Sequence, residues 1–461
     1  MRRAITFCRP LVMTIVAIAA SPAGIESQTT PRAPTTSARH EGQAATSRGS
    51  VPNVVLILAD DLGYGDLGSY GHPTIRTPRL DRLAQEGIRL TSYYAGAPAC
   101  TPARAALLTG RYAARMGLAE VVMPEDTHGL PASELTLAEA LESRGYQTKM
   151  VGKWHLGHAT RDLLPTAHGF DSWFGLPYSN DMIPPWVQTT HPLRLYRDEC
   201  PLDEAVEPST LTERYTDEAV RFIQGAREPF FLYVAHNMPH LPIGATKPFK
   251  GRSRAGLYGD VIETIDWSTA QMLDALDERM AAGRTVVVFV SDNGPWSNAP
   301  PRMLQGGVQP WHTGSTGPLR GAKGTTWEGG VRVPAIIRWP DQIRAGRASA
   351  EPADATDLYV TLLEAAGAAV PPDRPVDGRS LMPLLRDGAP LAPRKLYFFR
   401  EAALEAIREG PWKLRVEEGG APELYNLDED PGERFDRAAQ EPALVARLVR
   451  DLRAFAASVE H

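Results

Sequence analysis

Two short runs end in oxygen-bearing side chains where a cation would sit well. The first, VVLILA (Val54–Ala59), leads directly into Asp60 and Asp61; the second, TVVVFVS, leads into Asp292, Asn293 and Gly294. Ligands of open α/β sheets bind outside the carboxyl ends of the strands. Four hard oxygen donors converging there, Asp60, Asp61, Asp292 and Asn293, suit Ca2+ or Mg2+ better than zinc, which favours His or Cys. Asp-Asp-Leu-Gly and Asp-Asn-Gly each also resemble ordinary turns. Adjacent carboxylates at the ends of two buried strands repel one another unless a cation lies between them.

A third run carries a nucleophile candidate. In Cys100-Thr101-Pro102-Ala103-Arg104, Pro102 suits the first turn of a helix and ARAALLTG continues it. Cys100 then stands at the helix N-terminus with Arg104 one turn on, an arrangement expected to stabilise an anion. The same residues would also fit a buried structural cysteine. Lys153 and His155, two apart in GKWH, would point the same way from an extended segment. Taken singly, Lys153 and Lys323 read as solvated charges and His240, in Pro-His-Leu-Pro, as a hydrogen-bonded loop histidine.

The elements that position these groups follow from pattern. VVLILA and TVVVFV are continuous and rich in β-branched residues, as expected of strands buried on both faces of a parallel sheet. Helical patterns lie between them: PRLDRLAQE closed by Gly87, ELTLAEALESRG capped by Ser133 and leading into the strand-like YQTKMVG, and the long amphipathic IETIDWSTAQMLDALDERMAAG. The alternation predicts a large doubly wound α/β domain of mixed or parallel strands flanked by helices, over residues 51–375. Beyond PPDRPVDGR the texture changes to KLYFFR, EAIREG, WKLRV, ELYNL and a helix from Pro442 to Ala457. Residues 376–461 are therefore expected to form a small antiparallel sheet with one helix.

At the level of the whole chain, 461 residues with 43% hydrophobic and 23% charged side chains exclude global disorder. A net charge of −6 without a basic stripe excludes nucleic acid as a partner. MRRAITFCRPLVMTIVAIAA has the layout of a secretory signal peptide, placed over residues 1–26. Its apolar run is too short for a membrane span, which needs about 20 residues, so no stable membrane insertion is expected after cleavage. Residues 27–50, rich in Ser, Thr, Pro and Ala, read as a flexible linker. Cleavage leaves Cys100 and Cys200, which either pair or keep at least one thiol for chemistry. No Asn begins an N-x-Ser/Thr sequon, which favours a bacterial periplasm or cell exterior.

Cys-x-Pro-x-Arg followed by AALLTGR resembles the signature of the type I sulfatases, a branch of the alkaline phosphatase superfamily. ADDLGYGDLG, TPRLDRLAQEG, GKWHLG, NMPHLP, SDNG and LRGAKGTTWEGG are similar to that family's other blocks, in the family's order. GFDSWFGLPYSND leans toward the arylsulfatase A and N-acetylgalactosamine-6-sulfatase branch. The resemblance implies an alkaline phosphatase-like fold, hydrolysis of aryl or sugar sulfate monoesters, and a Ca2+ ion. It also implies that a maturation enzyme oxidises Cys100 to formylglycine, whose hydrated aldehyde attacks sulfur. Asp60, Asp61, Asp292 and Asn293 would then bind calcium with residue 100 as a further oxygen ligand, a harder donor than thiolate. Arg104 would steady the hydrated aldehyde. Lys153 would hold the sulfate and nucleophile, and His155 would help remove a proton from the second hydroxyl. His240 and Lys323 would grip the sulfate and leaving oxygen, with His240 protonating the alcohol, and Ser179 would contact substrate. A phosphate or phosphonate monoester hydrolase of the same superfamily would use the same set. If Cys100 is not matured, a non-catalytic sulfated-glycan binding protein is the remaining reading.

Overall fold

Every residue of the strand Asn53–Ala59 is buried, and the strand lies near the middle of a ten-stranded sheet. In this computed structural model residues 51–202 and 204–459 are described; the signal peptide and linker assigned to residues 1–26 and 27–50 lie outside them. Across the sheet the order is Arg347–Ser349, Ile88–Leu90, Ala335–Arg338, Thr285–Ser291, Asn53–Ala59, Phe230–Ala235, Gln147–Gly152, Ser172–Gly175, Tyr196–Arg197 and Cys200–Pro201. The five strands from Thr285–Ser291 to Ser172–Gly175 run parallel, and antiparallel pairings flank them. Cys200 belongs to an edge hairpin of the sheet. Cys100 is free and buried, so these two cysteines do not pair with each other.

The sheet is covered on both faces because its strands are apolar on both. Val54, Leu56 and Leu58 pack with Leu107 and Leu108 of helix Cys100–Thr109 and with Leu358 and Leu362 of helix Ala355–Ala365. Val55 and Ile57, on the opposite face, pack with residues of helices Pro78–Glu86, Pro208–Gly225 and Gly256–Glu278. Each such fully buried side chain contributes roughly 1.5–3 kcal/mol. The helix expected after Ser133 begins instead at Leu137, with Thr136 as its cap. The reason is local. Glu139 stands three residues after Thr136, and each side chain bonds the other's backbone N–H, at 3.1 and 2.7 Å, a reciprocal cap that Ser133 cannot form.

The C-terminal strands Lys395–Arg400, Ala403–Glu409, Trp412–Arg415 and Glu423–Asn426 form an antiparallel sheet in chain order. Leu448 and Leu452 of helix Pro442–Val459 pack on it against Ile407, Leu414 and Leu424. Leu396, Phe398 and Ala406 join it to Tyr94 and Val331 of the larger part. Beside that contact the fully buried Lys413 ammonium lies 2.9 Å from Glu328 and 3.0 Å from Glu433. Among the described residues, no helix is long and apolar enough to cross a membrane.

Candidate functional site

Sheet register brings the chemistry together. Leu58 stands opposite Ala235, Ala59 opposite Ser291, and Gly152 opposite Ala235, so four neighbouring parallel strands finish level. The residues that leave them, Asp60-Asp61, Asp292-Asn293, Lys153 and the His236–His240 turn, emerge at one edge. Backbone bonds fix the exits: Asp292 N–H to Ala59, Asp60 N–H to Met238 and Lys153 N–H to Ala235, at 3.1, 3.1 and 2.8 Å. Gly152 has φ +105°, and a Cβ there would lie 1.9 Å from the Ala235 carbonyl oxygen. Only glycine fits where the strand hands over to Lys153.

Cys100 opens the helix Cys100–Thr109 and is 2% exposed. Its sulfur is 3.2 Å from Lys323 Nζ and 3.6 Å from Asp60 Oδ1. The expected stabilised thiolate is not what this environment produces. Burial pushes the thiol up to about 12, outweighing the neighbouring Lys153 and Lys323 ammoniums. Arg104 is spent on other groups: Nη2 and Nε donate to Asp292 Oδ2 at 2.8 and 3.1 Å, and Nη1 donates to the Lys153 carbonyl at 2.8 Å. Lys153 Nζ lies 2.6 Å from Asp60 and Lys323 Nζ 2.7 Å from Asp61. Neither lysine is the solvated charge that its residue type alone would suggest.

Three carboxylates and three cations thus share one buried pocket. Burial, reinforced by Asp60 and Asp292, pushes the Asp61 carboxyl up to about 7, and burial raises Asp292 as well. Asp61 Oδ2 and Asn293 Oδ1 are buried without a hydrogen-bond partner. Ligand atoms of Asp60, Asp61, Cys100 and His240 all lie within 4.8 Å of one another. Orphaned oxygens among crowded carboxylates are what a hard divalent cation satisfies, so the residues present fit a metal.

Two histidines flank this pocket. His155 does not continue an extended segment; it has φ +60°. Its Nε2 is 3.0 Å from the Val122 carbonyl and must donate to it, leaving Nδ1 as a buried acceptor without a partner. Burial, helped by Lys153 and Arg104, holds this imidazole well below its ordinary value and therefore neutral. His240 Nδ1 donates to the Leu241 carbonyl at 2.5 Å, while Nε2 lies 3.7 Å from Asp61 Oδ2. Ser179 Oγ is 3.3 Å from His240 Nδ1. All eleven residues singled out from the sequence therefore lie in this one constellation.

Two neighbours escaped the sequence reading. Asp181 is buried, with Oδ1 unbonded and 4.0 Å from His240 Nδ1. Trp296 lies against His240 and Lys323. Asp181 stands in Ser-Asn-Asp and Trp296 just after Asp-Asn-Gly; their closeness to motif residues is the signal that was there to read.

Comparison with known proteins agrees with this geometry. The chain matches the Sulfatase family over residues 52–368, and its C-terminal part matches the family N-sulphoglucosamine sulphohydrolase, C-terminal, over residues 322–455. N-acetylgalactosamine-6-sulfatase of Canis lupus familiaris is 37% identical over 444 residues, covering 86% of this chain and 83% of its own. Arylsulfatase A of Bos taurus is 38% identical over 442 residues, covering 85% and 84%. The crystal structure of the PsFucS1 sulfatase from Pseudoalteromonas sp. superposes with a TM-score of 0.79 at 30% identity, over 89% of this chain and 91% of that one. The catalytic-end pocket thus sits in a chain that is like sulfatases along nearly all its described length: the protein belongs to the sulfatase family and is a sulfuric ester hydrolase.

Proposed function

We propose that this sulfatase cleaves aryl or sugar sulfate monoesters with a formylglycine made from Cys100 by a maturation enzyme. Ca2+, or Mg2+ in its place, would be held by Asp60, Asp61, Asp292, Asn293 and the oxygen that replaces the Cys100 sulfur. The observation that carries this reading is the state of Cys100: a buried thiol pushed up to about 12 is no nucleophile at neutral pH. Its sulfur is also a soft donor among hard ones. When bound, the cation and the hydrated aldehyde supply charge neutralisation and an oxygen nucleophile respectively.

The chain's own groups do the rest. With a dication on the carboxylates, the Lys153 and Lys323 ammoniums are left in excess and turn their N–H donors to sulfate oxygens. Arg104 braces Asp292 and Asp60 and with them the start of the Cys100 helix. His155, donating through Nε2 to a carbonyl, keeps the Nδ1 lone pair to take a hydroxyl proton. His240, whose Nδ1–H is committed to the Leu241 carbonyl, can protonate the leaving alcohol through Nε2 only as the imidazolium. Its second proton has to come with the anionic sulfate, which offsets the burial and the Lys323 charge that hold the free imidazole neutral. Ser179, beside His240, provides a polar contact for substrate. In this reading residues 51–375 are the catalytic domain and 376–461 a small C-terminal domain. The protein works in the periplasm or outside the cell after residues 1–26 are removed.

The test is the mass of the tryptic peptide Leu90–Arg104 from protein coexpressed with a maturation enzyme. A loss of about 18 Da, thiol replaced by aldehyde, with failure to alkylate is expected. Fully active protein whose Cys100 alkylates as an ordinary thiol would refute the reading. Faster turnover of 4-nitrophenyl phosphate than of 4-nitrophenyl sulfate would move the substrate class to phosphate esters.

A further inference from the structure

Trp296 lies two residues beyond the Asp292-Asn293-Gly294 turn, and its indole is only half-buried. It touches both groups on the leaving side of the site. The His240 ring lies 5.3 Å away, centroid to centroid and tilted by 50°, and Lys323 Nζ lies 4.7 Å from the indole centroid. The second contact is a cation–π pair, which holds the ammonium where the indole is.

Behind the indole is a built wall. Trp296 packs on a small apolar cluster with Leu241, Met303 and Trp186. Trp186 Nε1 donates to the Gln305 carbonyl at 3.1 Å, and Arg302 Nη1 donates to the Trp186 carbonyl at 3.0 Å. Gly306, at φ +61°, lets the chain pass so close that a Cβ would come 2.7 Å from the Trp186 ring. Such bracing fixes the face of a part-exposed aromatic ring beside the proton donor, with the Arg302 guanidinium also 5.9 Å from the ring centroid. That face offers a sulfate group little; it offers the face of a ring a large flat apolar surface at low entropic cost.

Resting on the sulfatase reading above, we propose that Trp296 is a specificity-determining residue. Its indole is the platform on which the alcohol half of the substrate lies. The substrates are then sulfate monoesters of rings, aryl or pyranose, rather than of open-chain alcohols. A ring held there presents its ester oxygen beside His240 and Lys323, so stacking contributes to the chemical step as well as to binding.

The experiment compares wild type, Trp296→Ala and Trp296→Phe, all carrying formylglycine by peptide mass. The readouts are kcat/KM for 4-nitrophenyl sulfate and for a pyranose 6-sulfate, and the Ki of inorganic sulfate, which has no ring. For the ring ester that wild type turns over, Trp296→Ala should lower kcat/KM by about tenfold or more, with Trp296→Phe recovering most of it. The Ki of sulfate should stay within about twofold of wild type. The ring ester that loses more identifies the leaving group as aryl or sugar. Equal losses in kcat/KM and in sulfate affinity would overturn the proposal, since Trp296 would then only hold Lys323 and His240; so would no change at all. Wild type that carries formylglycine yet hydrolyses no sulfate ester would fail the earlier reading instead.

Discussion

Cys100 meets two demands that conflict in an unmodified thiol. It begins a helix at the carboxyl end of the sheet, where the proposed nucleophile stands, and it is buried so deeply that its thiol stays protonated. Cys100→Ala should therefore abolish turnover while unfolding remains a single transition, since loss of one small buried group costs roughly 1–2 kcal/mol; loss of the fold in thermal melts would show a structural role instead. Most of the site was legible at this scale because its residues sit in short motifs whose chemistry is local. Asp181 and Trp296 were missed, because their closeness to motif residues says nothing of how residue 240 folds back upon them. The conformation of His155 was misread for a related reason: GKWH looks extended, yet the chain turns to φ +60° at His155, where Nε2 reaches the Val122 carbonyl.

Whole elements are legible where burial is continuous. VVLILA and TVVVFV announce themselves as strands because both faces of the sheet are covered, leaving no polar alternation. The edge strand Arg347–Ser349 and its neighbour Ile88–Leu90 have three residues each, with charged side chains, and carry no pattern of their own. Their existence depends on partners distant in the chain. Gly152 shows the same dependence with larger consequences. Gly152→Ala should cost about 3 kcal/mol or more, because the added methyl meets the neighbouring strand's carbonyl at a positive φ. Urea unfolding measures that loss, and a variant as stable as wild type would show that the strand exit adjusts freely.

Across the molecule, the carboxylate pocket and the clasp to the C-terminal sheet set stability. Adding Ca2+ to chelator-treated protein should raise Tm and restore activity together; at a hundredfold excess over Kd, binding contributes about 2.7 kcal/mol. Activity that never responds to a chelator or to added metal would count against the metal. Lys413→Met should cost about 3–5 kcal/mol, because Glu433 is left buried without its cation and Glu328 keeps only Arg332, 3.3 Å away. It should also lower kcat/KM, since Glu328 ends the same loop that carries Lys323; an unchanged kcat/KM in the folded variant would separate the clasp from the site. The change of texture near residue 375 was readable, but this clasp was not, its partners lying 85 and 105 residues apart. The lid over Cys100 also has a consequence in time. Lys323, which closes on the sulfur, follows Cys100 by 223 residues. At 5–20 residues per second, roughly 10–45 s of synthesis pass before that lid exists. In the folded chain the side chain is only 2% exposed, so under the formylglycine reading a maturation enzyme has to work on the unfinished or unfolded chain. Folded thiol-form protein should therefore resist maturation in vitro until it is denatured, and modification of the native protein at the same rate as the free peptide would contradict this.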